Sequence, residues 1–210
     1  MCGTVARPWC LGSFMSFEVL FAAVAYLFGS ISSAVIVSKL MGLPDPRSEG
    51  SKNPGTTNVL RLGGKKAAIF TLLGDSLKGV VPVLIARYFG ASDSVLAVTA
   101  LFAFLGHLYP VFFGFKGGKG VATALGVLLA LAWPVGLAAL GVWISVAFAS
   151  RISSLSALTA AVLTPIIMWW VTGSDVFVAL NLFLSLVLIW RHRSNVRNIL
   201  NGTEGRIGAR

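Results

Sequence analysis

Six stretches of this chain, roughly residues 17–40, 66–89, 94–114, 121–149, 155–172 and 175–190, are apolar and almost free of charge. Segments of that length and character cross lipid bilayers, where every backbone N–H and C=O needs a partner within its own segment and the helix supplies one. Only 11% of the 210 residues are charged, under half the roughly 25% of soluble domains. The chain therefore reads as an all-α, polytopic membrane protein. A net charge of +10 is compatible with nucleic acid in a soluble protein, but in a membrane chain basic residues mark the cytoplasmic face, and no nucleic-acid partner is expected. Cys2 and Cys10 have no metal-ligand spacing. Residues 1–16, with Arg7 as their one basic residue and Met15 as a second possible start, read as a disordered N-terminal extension. Residues 17–208 then form a single membrane-integral domain.

The fourth stretch is long and carries Trp133-Pro134 at its middle. One helix there gives six spans; a hairpin of two short helices gives seven. Lys and Arg concentrate in cytoplasmic loops, and this decides the count. Seven spans with the N-terminus outside gather Lys39, Arg47, Lys52, Arg61, Lys65, Lys66, Lys116, Lys119, Arg151, Arg191, Arg193, Arg197, Arg206 and Arg210 inside, 14 of the 17 basic residues. The outside loops keep Asp93 and Asp175. Six spans would put Arg151 and the C-terminal tail opposite Lys116 and Lys119. The expectation is thus about seven helices, some short, with a cytoplasmic C-terminus. Each half of the fourth stretch would measure roughly 20–24 Å, short of a hydrocarbon core of about 30 Å. The Lys119-Gly120 turn would then lie recessed below the interface.

Polar islands interrupt this apolar background. The first, Gly50-Ser51-Lys52-Asn53-Pro54-Gly55-Thr56-Thr57-Asn58, follows a turn-rich stretch containing Arg47 and leads to Arg61. It supplies hydroxyls, amides and cations with scarcely an acid. The second, Phe115-Lys116-Gly117-Gly118-Lys119-Gly120, follows Gly106-His107-Leu108-Tyr109-Pro110. Glycine frees backbone amides, and the flanking lysines suit a phosphate or carboxylate. Its spacing is not that of a nucleotide-binding P-loop. His107, near the end of a span, is costly there without work or a partner. A third cluster, Arg191-His192-Arg193-Ser194-Asn195 with Arg197, Asn198 and Glu204, begins where the final span ends. Asp75 and Lys78, three apart on one helix face, form an intramembrane pair that serves structure or function equally well. All but that pair fall on the cytoplasmic face, and the number of cations suits two phosphate-like groups better than one carboxylate.

These blocks, in this order and spacing, resemble the bacterial acyl-phosphate:glycerol-3-phosphate acyltransferases over about residues 17–208. Lys52 and Thr56 stand where smaller residues are common in that family. The resemblance implies a seven-span enzyme of the bacterial cytoplasmic (inner) membrane, its site facing the cytoplasm. It implies transfer of a fatty acyl group from acyl phosphate to the 1-hydroxyl of glycerol 3-phosphate, giving lysophosphatidate and phosphate. No metal or other cofactor, CoA or acyl carrier protein is implied; the partners are the two substrates and membrane lipid. It maps an essential serine and arginine onto Ser51 and Arg61, and a phosphate loop onto Gly117, Gly118, Lys119 and Gly120. A histidine and asparagine fall on His192 and Asn195, and a structural glutamate on Glu204.

Hydroxyl attack on an acyl phosphate generates an oxyanion, and phosphate leaves readily, so positioning and charge stabilisation can carry catalysis. On this reading Lys116, Lys119 and the glycine amides hold one phosphate and Arg47 with Arg61 the other. Ser51, Asn53, Thr57 and Asn195 orient the groups between them, Asn58 joins the phosphate ligands, and Asp75 and Lys78 are structural. His107 is the first choice to carry the proton and the substrate's own phosphate the alternative. An organic-anion transporter would also use broken helices and basic loops, but it needs a route to both faces, and the outside loops are nearly featureless. The His-x4-Asp signature of other acyltransferases fails, since Phe112 and Arg197 stand five residues after His107 and His192. Asp45, Asp75, Asp93 and Asp175 are too scattered for a metal-dependent phosphotransferase.

Overall fold

The structure, a computed structural model, describes residues 9–208, with side chains from residue 18 onward. The helices are α1 (Trp9–Gly29), α2 (Ser33–Leu40), α3 (Thr56–Tyr88), α4 (Asp93–Leu108), α5 (Val121–Leu131), α6 (Trp133–Ser150), α7 (Ser153–Thr172), α8 (Asp175–Arg191) and α9 (Arg193–Leu200), with a 3₁₀ turn at Val111–Phe113. The described residues contain no strand. Large apolar side chains such as Ile69, Phe70, Phe148, Trp169 and Trp170 are exposed around the bundle, as a multi-pass protein surrounded by lipid requires.

Several boundaries differ from those read in the sequence. Helix α1 begins at Trp9, so helix occupies part of the stretch expected to be a disordered extension; residues 1–8 lie outside the described residues. The first span is broken at residues 30–32, where the Ser30 hydroxyl turns back to the Tyr26 carbonyl at 2.8 Å. Helix α3 starts ten residues before the expected 66, inside the first polar island, and bends at Gly64. Gly64 has φ 75° and ψ −171°, a conformation closed to side-chain-bearing residues, so the bend sits at a glycine.

The fourth stretch does divide. Ala132 is extended, with φ −149° and ψ 92°, and Pro134 opens α6, where its missing N–H costs nothing. The halves are unequal, with 11 residues in α5 and 18 in α6. Among the described residues five helical segments are long and apolar enough to cross a membrane, and α8 with α9, bent by 59°, can count as a sixth. At about 16 Å, α5 falls short of a 30 Å core, so length alone does not yield the seven spans expected.

Contacts explain how so short a helix fits. The Thr123 hydroxyl donates to the Asp75 carbonyl at 2.9 Å, and Arg87 Nη2 donates to the Leu131 carbonyl at 2.8 Å. Helix α5 therefore runs parallel to α3 and accompanies only its stretch from 75 to 87. Arg87 satisfies a terminal carbonyl of α5, where a cation also opposes the helix dipole. The start of α5, and the glycine-lysine loop before it, thus lie about 16 Å along α3 from the Gly64 bend.

Small residues set the helix spacing. Gly79 faces the Thr123 carbonyl and the Val127 amide, Gly126 faces the Ser76 backbone, and Gly29 and Gly106 bring α1 and α4 together in the same way. Such contacts replace the hydrophobic driving force that lipid removes. Gly126→Leu would drive a side chain into the α3 backbone, whereas Gly141 faces open space. Overpacking of about 1–3 kcal/mol at 2–4 °C per kcal/mol puts the expected fall in melting temperature at roughly 2–12 °C for Gly126→Leu. Thermal-shift measurement in detergent should show little change for Gly141→Leu; equal shifts in both would refute this packing.

Candidate active site

Three helices begin at one cavity. Thr56 and Thr57 open α3, Val121 and Ala122 open α5, Ser153 and Ser154 open α7, and all six line it. None of the residues preceding these helices (Gly55, Gly120, Ile152) supplies a side-chain acceptor as a cap. The first amides of each helix are left without intrahelical partners, and the three dipoles present their positive ends to the same space. The Thr56 hydroxyl is buried without a hydrogen-bond partner among the described residues.

The first loop is held against α3 by Asn58. Its Nδ2 donates to the carbonyls of Pro46 at 2.9 Å and Glu49 at 3.0 Å, and its Oδ1 accepts from the Ser51 amide at 2.9 Å. Asn58 is 1% exposed, so the residue expected to touch phosphate instead fixes the backbone that carries Ser51. Thr57 bridges to Ser153 hydroxyl to hydroxyl at 2.9 Å, joining the starts of α3 and α7.

The glycine-lysine loop is pinned from two sides. The Gly118 amide donates to the His107 carbonyl at 3.3 Å, while Arg191 Nη2 donates to the carbonyls of Gly117 at 3.1 Å and Gly118 at 2.8 Å. A Cβ on Gly118 would collide with the His107 ring, and one on Gly117 with the carbonyls of His107 and Leu108. Gly120 combines φ 93° with contact against the Phe104 ring. Only glycine fits both demands at that position.

Lys119 enters the cavity from this loop and heads a chain of bonds. Its Nζ donates to Asn195 Oδ1 at 2.5 Å, Asn195 Nδ2 donates to Glu204 Oε1 at 2.6 Å, and the Ser154 hydroxyl donates to the same oxygen at 2.6 Å. Burial raises the Glu204 carboxyl, but bonds from Ser154, Asn195 and Asn198 and the charge of Lys119 prevail and hold it below its ordinary value. Burial lowers Lys119, opposed by Glu204 and reinforced by Arg191 and Arg61. The segment after α9 closes the wall: the Ile207 amide donates to the Arg151 carbonyl at 2.6 Å, and Gly205 packs against the Arg61 guanidinium. His192 Nδ1 lies 2.8 Å from the Leu188 carbonyl. A carbonyl only accepts, so Nδ1 carries the hydrogen and Nε2 of the neutral ring is an acceptor.

The cavity, of about 310 Å³, brings together Ser51, Asn53, Thr57, Arg61, Lys119, His192, Asn195 and Glu204, with Asp75 and His107 at its wall. It continues between α5, α6, α7 and α8 past Leu125, Leu128, Leu140, Trp143, Ala160 and Leu184. Asp75 and Lys78 form an ion pair at 2.9 Å, Lys78 also donates to the Ile31 carbonyl at 2.8 Å, and His107 Nδ1 is 3.8 Å from Asp75. Three expected phosphate ligands lie elsewhere: Arg47, Lys116 and Gly117 line a separate hollow. Arg47 is bound to Asp45 by its Nε and by Nη2 at 2.6 Å. Ser153 and Ser154 were missed in the sequence; a serine pair just after Arg151-Ile152, at a helix start, was the available signal.

A pKa held below the ordinary carboxyl value gives Glu204 a defined pH signature. Its ionised form contributes stability that is complete above the unfolded carboxyl value of about 4.3 and is lost as pH falls through its lower folded value. The thermal-stability gap between the native protein and Glu204→Gln should therefore be constant above that pH and close below it. Asn58→Ala would remove the partner of three backbone groups, of which the buried Pro46 carbonyl alone costs about 1–3 kcal/mol when stranded. It should lower the melting temperature even though Asn58 is used up within the loop.

Fold and site together define an integral membrane protein whose anion-receptive cavity opens into an apolar channel. The family model for glycerol-3-phosphate acyltransferase matches residues 19–202. Two curated glycerol-3-phosphate acyltransferases are close relatives. The one from Methylococcus capsulatus is 61% identical over 93% of this chain and 99% of its own length; that from Thioalkalivibrio sulfidiphilus is 60% identical over 88% and 91%. Crystal structures of PlsY (YgiH), an integral membrane glycerol 3-phosphate acyltransferase, superpose closely. Its glycerol 3-phosphate form gives a TM-score of 0.86 at 41% identity, covering 91% of this chain and 96% of that one. Its lysophosphatidic acid form gives 0.84 at 39% identity, covering 91% and 95%. The chain belongs to the glycerol-3-phosphate acyltransferase family.

Proposed function

We propose that this chain transfers a fatty acyl group from acyl phosphate to the 1-hydroxyl of glycerol 3-phosphate, releasing lysophosphatidate and inorganic phosphate, on the cytoplasmic side of the bacterial inner membrane. The observation that carries this reading is one cavity with two characters. Three helix starts, Lys119 and Arg61 meet at its mouth, and an apolar floor extends among α5, α6, α7 and α8. That combination suits two phosphate-bearing substrates, one of them with a hydrocarbon chain.

In this scheme the acyl chain lies along the apolar floor with its phosphate among the helix starts. Glycerol 3-phosphate is held by Lys119, Arg61 and Asn53. The Asn195–Glu204–Ser154 bonds fix Lys119 before substrate arrives, so little reorganisation is needed as charge develops on the carbonyl oxygen. The substrate hydroxyl forms the new C–O bond, its proton passes to His192 Nε2, and the acyl C–O bond to phosphate breaks. Ser51 orients the reacting groups. His107, whose Nε2 is turned against Gly118, braces the loop rather than carrying the proton. No CoA thioester or acyl carrier protein takes part. The concentration of basic side chains at the cavity face supports the cytoplasmic orientation.

The decisive experiment supplies purified, detergent-solubilised protein with labelled glycerol 3-phosphate and either palmitoyl phosphate or palmitoyl-CoA in excess EDTA. Labelled lysophosphatidate is expected from acyl phosphate alone; formation from the CoA thioester alone would overturn the donor. Lys119→Ala should lower kcat/KM about 10²–10³-fold, the usual loss for one preorganised charge-stabilising donor. Ser51→Ala should likewise be crippled while remaining folded, and full activity in it would remove Ser51 from the scheme.

A further inference from the structure

On the other side of the Pro54 and Gly117–Gly118 wall lies a second cavity, of about 320 Å³, lined by Arg47, Lys52, Lys116 and Arg191. Four cations meet there, and the nearby carboxylate, Asp45, is engaged with Arg47. Three positive charges are therefore in excess in one small space. The two guanidinium groups are held in place without a ligand. Arg47 donates to the Phe113 carbonyl at 3.3 Å and lies 5.9 Å from the centre of the Phe113 ring. Arg191 is bound to the Gly117 and Gly118 carbonyls and lies 5.8 Å from the Tyr109 ring centre. Lys52 and Lys116 are exposed and make no ion pair among the described residues. Lys52 also holds φ 55°, a left-handed conformation that costs a side-chain-bearing residue energy.

The surroundings define the ligand further. Phe115 is exposed and lines the cavity, and Val111 and Phe112 are exposed on the short turn just before it, whose Phe113 carbonyl accepts from Arg47. Exposed aromatic and aliphatic side chains next to cations, at the end of a membrane helix, fit the boundary between hydrocarbon and headgroups. A phosphate diester carries one negative charge, whereas a phosphate monoester carries close to two at neutral pH and offers three acceptor oxygens. The monoester answers both the excess charge and the two arginine forks.

We propose that this second cavity is a phosphate-monoester site at the membrane surface, separate from the reaction cavity and fitted to the headgroup of a lysophosphatidate- or phosphatidate-like lipid. Its ligand keeps its tail beside Phe112 and Phe115 while its phosphate rests among the four cations.

Binding can be read without turnover, so the result does not depend on the acyl donor. Lys119→Ala protein, in which the reaction cavity is weakened, is equilibrated with labelled dihexanoyl phosphatidate, dihexanoyl phosphatidylglycerol or inorganic phosphate. Saturable binding of phosphatidate is expected, with clearly weaker binding of phosphatidylglycerol. Adding Lys52→Glu should weaken phosphatidate binding by about 10–100-fold, the worth of a charge-assisted hydrogen bond, while Lys52→Arg retains it. Competition by inorganic phosphate at similar concentration would keep the monoester site and make its source soluble; failure to compete would make the source the bilayer. Equal binding of phosphatidylglycerol, or indifference to Lys52→Glu, would overturn the proposal.

Discussion

A helix that starts inside a low-dielectric region leaves its first amides without acceptors, and burying such groups is costly. Most proteins cap those starts with a serine, threonine or aspartate. Here α3, α5 and α7 begin at Gly55, Gly120 and Ile152 without a side-chain cap, and all three open on the same cavity. The rest of the structure follows from keeping those starts together. Thr57 ties α3 to α7, Glu204 ties α7 to α9, Asn195 ties that pair to the Lys119 loop, and Arg191 holds the loop from below.

The shortness of α5 belongs to the same constraint. A helix of full length beside α3 would carry its N-terminus out to the level of the Gly64 bend. Starting at Val121, it delivers its amides at the depth of Asp75, beside the apolar channel. Phosphate chemistry and a hydrocarbon chain can then share one cavity. Gly79 and Gly126 make this possible, because close backbone contact holds α5 in place without its needing to span the bilayer.

Much of this was legible in the residues. Apolar runs and Trp133-Pro134 gave the helices and the divided fourth stretch, since both rest on local chemistry. Lys119 and Gly120 of the glycine-lysine block and the Ser51, Arg61, His192 and Asn195 positions, read as converging, do line one cavity. The failures were of direction rather than composition. Arg47 and Lys116 looked the same as Arg61 and Lys119 in the sequence, yet turn to a different hollow because Pro54 and the loop form a wall between them. Asn58 is inward-facing on the first turn of α3, a fact set by where that helix begins, and the sequence placed its beginning ten residues late. Ser153 and Ser154 drew no notice because an apolar segment follows them directly.

The segment that carries Glu204, Gly205 and Ile207 lies in the chain after every one of the long helices, yet it forms part of the cavity wall and reaches back to Arg151. During synthesis the helices enter the membrane in order, and the cavity stays open on one side until this segment has emerged and folded over it. Lys119 has no fixed posture before then, because Asn195 and Glu204 have yet to arrive. The cavity wall is therefore closed by residues made after all of the long helices, and the Lys119 side chain gains its partners only once they fold back.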